Sequence, residues 1–451
     1  MLKKEAIQWL KYFIIILFSA FIGCILMTLA YSLPISSIEH NAKASIDFMK
    51  QEGVNPQLLG DSYVSSQIDT YTDAWMIRMA VYNGSENVLE KSLLNKYTGF
   101  SEGIADVHDG TIQYLEGRRD GAETYNYARY WHGYMVFLKP LMTLFDYADI
   151  IAIYRSVCLA LTIFVCLMIV KKQHYIFAIP FVAVLICIDF WTISFSMQYM
   201  WVYMVSMIGI MLILTRKKKE DCKYVFLCIG ILTSFGDFLT YPLFALGLPL
   251  TIYLIERKMK YELNGSYLNK KNYYAIWDTL YNILIWFVGY LGMWLMKWIF
   301  ASLLTSENII KDGLDALAFR TGEVTDGSDE IITFMDVIRK NVSCYLKWVD
   351  VITVVISVII IVFIVKKRMK CERENICIVR SNIYDIVSLL IVMLLPFVWF
   401  FVSKNHSDNH FWMTFRILGV SIMAGLVLLT VWLIQNKSVS PADINNNKMA
   451  R

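Results

Sequence analysis

The sequence has few charged residues: 18% of its 451 residues are Asp, Glu, Lys or Arg, whereas 57% are hydrophobic and 15% are aromatic. A soluble domain carries about 25% charged residues. This shortage, together with a mean hydropathy of +0.49, excludes a water-soluble protein and predicts a membrane protein. The net charge of +4 does not indicate a nucleic-acid partner, because the basic residues lie in short segments beside apolar runs.

A disulfide framework is also missing. Most of the nine cysteines lie in apolar runs or lysine-rich segments, and only Cys344 is expected to face an oxidising exterior. A zinc site would require further histidine or cysteine ligands, and none lies near Cys371 and Cys377 in the sequence. We therefore expect ordinary free thiols.

The sequence is instead rich in apolar runs. A bilayer core about 30 Å thick needs roughly 20 apolar residues per helix. Ten candidate runs occur at residues 12–33, 149–170, 174–191, 196–215, 222–235, 238–255, 277–303, 347–365, 384–402 and 412–434. The expected fold is therefore all-α, a polytopic bundle of about ten transmembrane helices.

The fifth and sixth runs are short, and they are interpreted as a tight hairpin with Gly236 and Asp237 at its tip. The alternative is a single broken and tilted helix, which would reverse the orientation of everything that follows.

The distribution of Lys and Arg predicts the orientation, because cytoplasmic loops retain positive charge. With ten spans, one side carries clusters such as 216–219 and 366–380, whereas the short loops on the other side contain only Lys404. Both termini are therefore expected in the cytoplasm of a cell-membrane protein. The predicted parts are a cytoplasmic N-terminus with an anchor helix (1–33), an extracytoplasmic segment with interfacial helices (34–148), a bundle (149–435) that includes an outer loop (304–346), and a polar cytoplasmic tail (436–451).

The first candidate site lies in the outer segment. Asp69 and Asp73 are four residues apart in IDTYTDAW, where Thr72 to Tyr82 has helical periodicity, so their carboxylates would share a helix face. Such a pair can bind a divalent cation, Mg²⁺ or Mn²⁺, or supply a general base. The alternative is that both are solvated loop acids, with Asp73 or Thr72 capping the helix that follows.

A second concentration of polar residues is SKNHSDNHFWMTFR, the last outer loop. His406 and His410 are four residues apart, which is compatible with metal ligation or proton transfer. Arg416 lies inside the tenth run, where an unpaired charge costs about 3 kcal/mol, so it needs an anionic partner such as Asp237 or a substrate phosphate. Asp237, isolated between two apolar runs, is either a helix cap or part of a site.

Four further residues complete the candidate set. Arg129 and His132 in ARYWHGY precede residues 133–145, which are too short to span and are expected to form an interfacial helix. Arg155 and Lys297 lie near the predicted outer ends of the second and seventh runs. With the other cations they would form a lipid-phosphate site, or they simply extend to the interface.

This layout resembles the GT-C class of membrane glycosyltransferases. The resemblance rests on the amino-terminal anchor helix, the long first outer loop with paired acids, and the pattern YWHGYMVFLKPLMTLFDYADIIAIYR at residues 130–155. It implies transfer of a sugar from a polyprenyl-phosphate donor to a glycan or lipid-linked acceptor on the extracytoplasmic face, in surface-polysaccharide or cell-wall glycan assembly. The sequence is also similar to multi-pass proteins of Gram-positive bacteria associated with surface-polysaccharide loci.

One departure affects the catalytic assignment. The acids of that class usually follow soon after the first span, whereas Asp69 lies well beyond it, so Asp73 or Asp61 could hold the role instead. In this hypothesis Asp69 or Asp73 activates the acceptor or holds the metal, and Arg155, Lys297 and Arg416 neutralise the leaving phosphate. The histidines at 132, 406 and 410 would orient the phosphate or relay a proton.

Two other functions remain open at the level of sequence. A transporter or flippase for a lipid-linked saccharide would place charges near the bilayer midplane, but the runs are nearly free of charge in their inner halves. A non-enzymatic membrane subunit would use the outer segment as a docking surface.

Overall fold

The architecture is that of a computed structural model, which describes residues 2–60, 62–100, 106–173, 175–216, 221–263, 274–322, 332–345, 347–370 and 383–435. Cys371, Cys377 and the predicted tail at 436–451 lie outside the described residues. Within the described ranges the chain is almost entirely α-helical and contains one short two-stranded sheet.

The secondary structure elements are numbered in chain order. The helices are α1 (Leu2–Tyr31), α2 (Ile35–Ala44), α3 (Ile46–Glu52), α4 (Thr70–Ala80), α5 (Val88–Leu94), α6 (Val107–Leu115), α7 (Met135–Met142), α8 (Tyr147–Lys172), α9 (Ala178–Cys187), α10 (Phe190–Ile193), α11 (Met197–Thr215), α12 (Asp221–Gly236), α13 (Leu243–Leu263), α14 (Tyr274–Leu304), α15 (Ile309–Thr321), α16 (Phe334–Ser343), α17 (Trp348–Lys370), α18 (Ile383–Val402), α19 (Lys404–Asn409), α20 (Phe411–Thr414) and α21 (Gly419–Gln435). The strands are β1 (Tyr97–Phe100) and β2 (Ala122–Tyr125). Short 3-10 turns occupy Val64–Ser66, Tyr175–Phe177 and Phe415–Leu418.

Among the described residues, seven helical stretches are long and apolar enough to cross a membrane. They lie in α1, α8, α11, α14, α17, α18 and the continuous stretch from α20 through α21. Large apolar side chains are exposed along these helices, for example Phe18, Leu167, Leu295 and Ile359. Exposed apolar surface on this scale is expected to face lipid, because its exposure to water would be energetically unfavourable. The chain therefore fits a multi-pass α-helical membrane protein.

The predicted count of ten spans is not confirmed, because three of the runs form shorter or displaced helices. Residues 174–191 divide into α9 and α10 at Asp189, whose backbone is left-handed with φ of 52°. The run at 222–235 becomes α12, a helix of 16 residues. The run at 238–255 becomes α13, which begins only at Leu243 and continues into the charged end ERKMKYEL.

The hairpin interpretation of residues 222–255 agrees with the structure, because α12 and α13 are joined by a turn at 237–242 and their far ends meet, with the Phe226 and Tyr253 ring centroids 5.8 Å apart. At this turn the Leu239 carbonyl contacts His406 of the last predicted outer loop. At the opposite end of α13, the Arg257 guanidinium lies 3.4 Å from Asp278 and 3.0 Å from Asp385. The polar groups of the bundle are thus gathered at two ends.

Residues 34–148 form a packed unit against one end of the bundle. As expected, they contain short helices, including α4 over the periodic stretch and α7 in the segment 133–145. The antiparallel pairing of β1 with β2, from Tyr97↔Tyr125 to Phe100↔Ala122, was not predicted. Each strand has only four residues, too few to give a period-two pattern, and their pairing is supported by stacking of the Tyr97 and Tyr125 rings.

Candidate functional site

The turn between α12 and α13 is built around Asp237. Its carboxylate accepts hydrogen bonds from the Leu239 amide (3.1 Å), the Thr240 amide (3.0 Å) and the Thr240 hydroxyl. This bonding holds Leu239 at φ of 76°, a left-handed conformation that is rare for leucine. Burial raises the pKa of Asp237 to about 6, while these hydrogen bonds oppose the shift. The strained turn therefore presents a buried acid with a pKa near neutrality.

His406 joins this turn to two other elements. Its Nε2 lies 2.6 Å from the Leu239 carbonyl, and its Nδ1 lies 2.5 Å from Nη1 of Arg320 on α15. Since a guanidinium only donates, Nδ1 accepts and Nε2 carries the hydrogen. Burial and the Arg320 charge hold the pKa of His406 well below its usual value, so the ring is neutral. The turn, the last loop and α15 thus meet at one imidazole.

The expected pairing of His406 with His410 is present, with ring centroids 4.6 Å apart. Among the described residues, the buried Nδ1 of His410 has no hydrogen-bond partner. Burial lowers the pKa of His410 as well. His410 therefore offers a neutral nitrogen, whereas both nitrogens of His406 are occupied.

Beside this junction lies a groove between α14, α15 and the segment before α7, which we call the aromatic–arginine groove. It is lined by Arg129, Tyr130, Trp294, Trp298, Gly313, Ala316, Leu317 and Arg320. The Trp298 indole donates to the Arg129 carbonyl (2.9 Å), and the Tyr130 ring lies 5.6 Å from Trp294. A side chain at Gly313 would meet the Trp298 ring at 2.4 Å, so glycine permits this close approach of α15.

The groove combines two partly exposed arginines with aromatic rings that are largely buried. The Arg129 guanidinium lies 4.7 Å from the Tyr127 ring centroid and 3.4 Å from the partly exposed carboxylate of Asp312. The Arg320 guanidinium lies 5.7 Å from the Tyr130 ring centroid. The charge of Arg320 lowers the pKa of the Tyr130 phenol, and the charge of Asp237 raises it. A phosphate could bind the two guanidiniums, whereas Tyr130, Trp294 and Trp298 are each less than 10% exposed.

Asp69 and Asp73 make the contacts of helix caps. Asp69 is the N-cap of α4 and accepts from the Thr72 amide and hydroxyl, both at 2.9 Å. Asp73 is fully buried and accepts from the Met197 amide (2.9 Å) at the start of α11 and from the Tyr147 hydroxyl (2.9 Å). Burial raises the pKa of Asp69 to about 6 and that of Asp73 well above its usual value. Both acids are therefore buried caps, of α4 for Asp69 and of α11 for Asp73, so the alternative of solvated loop acids with Asp73 or Thr72 capping α4 is wrong in these details.

The described residues contain one group of three or more His, Cys, Asp or Glu side chains close enough to share a metal ion, namely Asp106, His108 and Asp109. Asp69 and Asp73 do not belong to it. Among the described residues no third ligand joins these two acids, whose oxygens make the capping contacts, and their expected role as Mg²⁺ or Mn²⁺ ligands stays a prediction.

Two predicted phosphate-binding cations are buried on backbone carbonyls. Arg416 donates to the carbonyls of Trp412 (2.9 Å), Ile188 (3.2 Å) and Ser65 (3.2 Å), and not to the expected Asp237. Lys297 donates to the Leu93 carbonyl (2.6 Å) and to the side chain of Asn95 (2.8 Å).

The remaining two predicted residues also lie outside the groove. Arg155 is exposed and lies 3.9 Å from the Phe195 ring centroid. His132 is buried, donates from Nε2 to the Tyr127 carbonyl (2.9 Å) and accepts at Nδ1 from the Tyr134 hydroxyl (2.8 Å). Of the predicted set, the structure therefore brings Arg129, Asp237, His406 and His410 to the groove or to the junction beside it.

Sequence reasoning missed Arg320, Trp294 and Trp298. One available signal was the four-residue spacing of Trp286, Tyr290, Trp294 and Trp298, which places four aromatic rings along one face of α14. Their successive centroids are 4.9, 5.9 and 5.8 Å apart. Arg320 gave no local signal, because its importance comes from contacts with distant residues.

No family model, curated protein or solved structure matches this chain. The resemblance to GT-C glycosyltransferases therefore stays a prediction.

Proposed function

We propose that this protein is a membrane glycosyltransferase of GT-C type that binds a polyprenyl-phosphate-linked sugar in the aromatic–arginine groove. The observation that carries the proposal is the lining of one groove by Arg129 and Arg320 together with Tyr130, Trp294 and Trp298. Guanidiniums match the geometry of phosphate, and aromatic side chains offer flat surfaces against which a sugar ring packs. The donor phosphate would lie on the arginines, and contact of the sugar with Trp294 and Trp298, which are less than 10% exposed, would require the groove to open.

The location of the groove fits a lipid-linked donor. Trp294 and Trp298 lie near the end of α14, a helix long enough to cross a membrane, and α15 follows directly. Arg129 and Arg320 belong to the two long segments whose predicted side is extracytoplasmic. A phosphate held at the end of a spanning helix leaves the polyprenyl chain free to remain in the lipid.

The buried acid beside the groove supplies the base for transfer. Asp237 would take the proton of the acceptor hydroxyl, whose oxygen then attacks the anomeric carbon. The bond from that carbon to the phosphate oxygen breaks, and polyprenyl phosphate leaves with the electron pair. Its charge would be neutralised by Arg129 and Arg320, which are positioned before the reaction. A pKa near 6 suits a base that works at neutral pH.

The test uses purified protein in lipid nanodiscs with a panel of polyprenyl-phosphate hexoses and oligosaccharide acceptors, and it measures release of polyprenyl phosphate. We expect Asp237→Asn to lower turnover at least 100-fold and Arg129→Gln to raise the donor KM at least 10-fold. Arg155→Gln is the matched control, because it removes an exposed arginine outside the groove, and it should leave both parameters unchanged.

The outcome also separates the alternative functions. Donor binding without turnover in the wild-type protein, across the panel, would contradict the transferase proposal and favour a transporter or a non-enzymatic subunit. Equal effects of Arg129→Gln and Arg155→Gln would remove the groove from the account.

A further inference from the structure

The start of α6 carries an unusual group of side chains in the segment 34–148. One ligand atom each from Asp106, His108 and Asp109 lies within 4.8 Å of the others. The group belongs to a different element from the aromatic–arginine groove, and nothing in the proposed transfer reaction uses it.

His108 is the residue that requires an explanation. Its side chain is only 2% exposed, and among the described residues neither ring nitrogen has a hydrogen-bond partner. Its Nδ1 lies 3.7 Å from a carboxylate oxygen of Asp109, too far for a hydrogen bond. Buried imidazoles normally have partners, because an unsatisfied polar group is costly in a low-dielectric interior. The two ring nitrogens of His108 have no hydrogen-bond partner in the part of the chain that the structure describes, and they lie beside two acids. This arrangement indicates a ligand that binds both imidazole nitrogen and carboxylate oxygen.

The fold brings these three side chains together through a helix cap. Asp106 is the N-cap of α6 and accepts the Asp109 amide at 2.9 Å through one oxygen, which leaves its other oxygen outside this contact. His108 lies between them in the first turn, on the side of α6 that is buried, and Asp109 is 53% exposed. Two carboxylates and one imidazole thus converge where the helix begins.

A second helix start in the chain provides a comparison. Asp146 is the N-cap of α8 and accepts the Asp149 amide at 2.9 Å, so the two acids repeat the spacing of Asp106 and Asp109. The intervening residue is Ala148 instead of a histidine. Capping therefore accounts for the acids in both places, but it does not account for His108.

We propose that Asp106, His108 and Asp109 bind one divalent transition-metal ion. Imidazole nitrogen and carboxylate oxygen together suit borderline cations such as Zn²⁺ or Mn²⁺. Three protein ligands leave further coordination positions on the ion. Water could occupy these positions, because the Asp109 side chain is 53% exposed. The ion supplies the partner that His108 lacks and offsets the charge of the two acids.

The test is titration of the metal-stripped, full-length protein in nanodiscs with Zn²⁺ by calorimetry, followed by Co²⁺ substitution and visible absorption spectroscopy. We expect one Zn²⁺ site per chain and a Co²⁺ absorption spectrum that indicates coordination by a nitrogen ligand. His108→Asn and Asp109→Asn should each weaken Zn²⁺ binding at least 10-fold. Asp149→Asn, the matched control, should bind Zn²⁺ like the wild type.

Asp106→Asn keeps an N-cap oxygen and removes one charge, so it separates lost ligation from lost folding; we expect weaker metal binding with an unchanged elution profile. Wild-type Zn²⁺ affinity in both His108→Asn and Asp109→Asn, or no binding by the wild-type chain, would overturn the proposal. Because the readout is metal binding, it is independent of whether the protein transfers a sugar.

Discussion

Among the described residues, three buried cations donate to backbone carbonyls instead of carboxylates, and one of them, Lys297, also donates to the Asn95 side chain. Arg416, Lys297 and Lys139 are each at most 2% exposed, and Lys139 donates to the Ala80 carbonyl at 2.7 Å. Carbonyl oxygens that helix ends and turns leave without intrahelical partners are suitable acceptors for such donors. These side chains therefore join separate segments of the chain, for example Lys139 of α7 to the end of α4.

His132 is a buried histidine whose protonation should affect stability. Burial and the charges of Lys297 and Arg129 lower its pKa to about 3, whereas an unfolded histidine titrates near pH 6.5. Below pH 6.5 His132 binds a proton in the unfolded chain but stays neutral in the folded chain. The free energy of unfolding therefore falls as the pH decreases. The expected contribution is about 2 kcal/mol between pH 6.5 and pH 5.

The measurement compares the unfolding free energy of wild type and His132→Asn across this pH range. Asparagine tolerates the left-handed backbone at this position, where φ is 53°. We expect the variant to lose less stability on acidification, and His40→Asn, at an exposed position, to behave as wild type. Identical pH slopes for His132→Asn and wild type would contradict the assignment.

Asp73 should act mainly through stability. Asp73→Ala leaves the Met197 and Gln198 amides and the Tyr147 hydroxyl without their acceptor, and we expect a loss of about 2 to 4 kcal/mol in unfolding free energy. Asp149→Ala, an exposed acid in the first turn of α8, should cost less than about 1 kcal/mol. Unchanged stability of Asp73→Ala with abolished transfer would instead support the predicted catalytic role.

At the scale of elements, α12 and α14 approach closely through glycines. A Cβ at Gly230 would lie 2.2 Å from the Trp286 carbonyl oxygen, and one at Gly289 would lie 2.4 Å from that of Leu227. Small residues at such crossings let helix backbones pack directly, which is how many membrane helices associate. The Asp237 turn follows α12 and the groove tryptophans lie on α14, so this crossing helps to position the site.

Gly230→Ala should therefore push α12 and α14 apart and cost about 1 to 3 kcal/mol. Gly425→Ala is the matched control, because its nearest neighbour, the Met393 sulfur, lies at an ordinary contact distance of 3.6 Å. The comparison is the thermal unfolding midpoint of the two variants in the same detergent. Equal midpoints would show that the crossing tolerates a methyl group.

Much of this helical framework could be predicted from apolar runs, whereas the breaks could not. The run at 174–191 is apolar enough to continue as one helix, but Asp189 adopts a left-handed conformation and Lys347 of a distant segment contacts its carboxylate at 2.6 Å. The end of α12 was predictable, since Gly236 and Asp237 are typical of a turn. Local patterns thus locate helices, while their interruption depends on partners far away in sequence.

At the scale of the whole molecule, polar groups gather at two ends of an apolar bundle. One end holds the Asp237 turn, His406 and the groove, and the other holds Arg257 with Asp278 and Asp385. The lysine-rich loops predict that the second end is cytoplasmic. In the proposed function, this orientation would give the site access to a lipid-linked donor on the extracytoplasmic face.

The orientation is tested by cysteines that are introduced one at a time and labelled with a membrane-impermeant maleimide in intact cells. Gln51→Cys and Asn409→Cys, both at exposed positions of the groove end, should react from outside. Lys171→Cys and Lys367→Cys, exposed at the opposite end, should react only after permeabilisation, with the wild-type chain as background. The reverse pattern would place the groove in the cytoplasm.

The site itself could be predicted only in part. Clustering of polar residues beside apolar runs identified Arg129, Asp237, His406 and His410, because charge is rare in this chain and each occurrence needs a reason. The same logic assigned Arg416 an anionic partner, since sequence does not reveal which distant carbonyls will be free. Arg320 could not be found, because it acquires its role only when α15 packs beside α14.

The most direct test of the aromatic–arginine groove is the affinity of the purified protein for a polyprenyl phosphate in nanodiscs, measured for wild type, Arg129→Gln and Arg155→Gln at low and high salt. We predict saturable binding that Arg129→Gln weakens at least 10-fold, that Arg155→Gln leaves unchanged, and that salt reduces in the wild type. Equal affinities of the three proteins for the lipid phosphate would contradict the account.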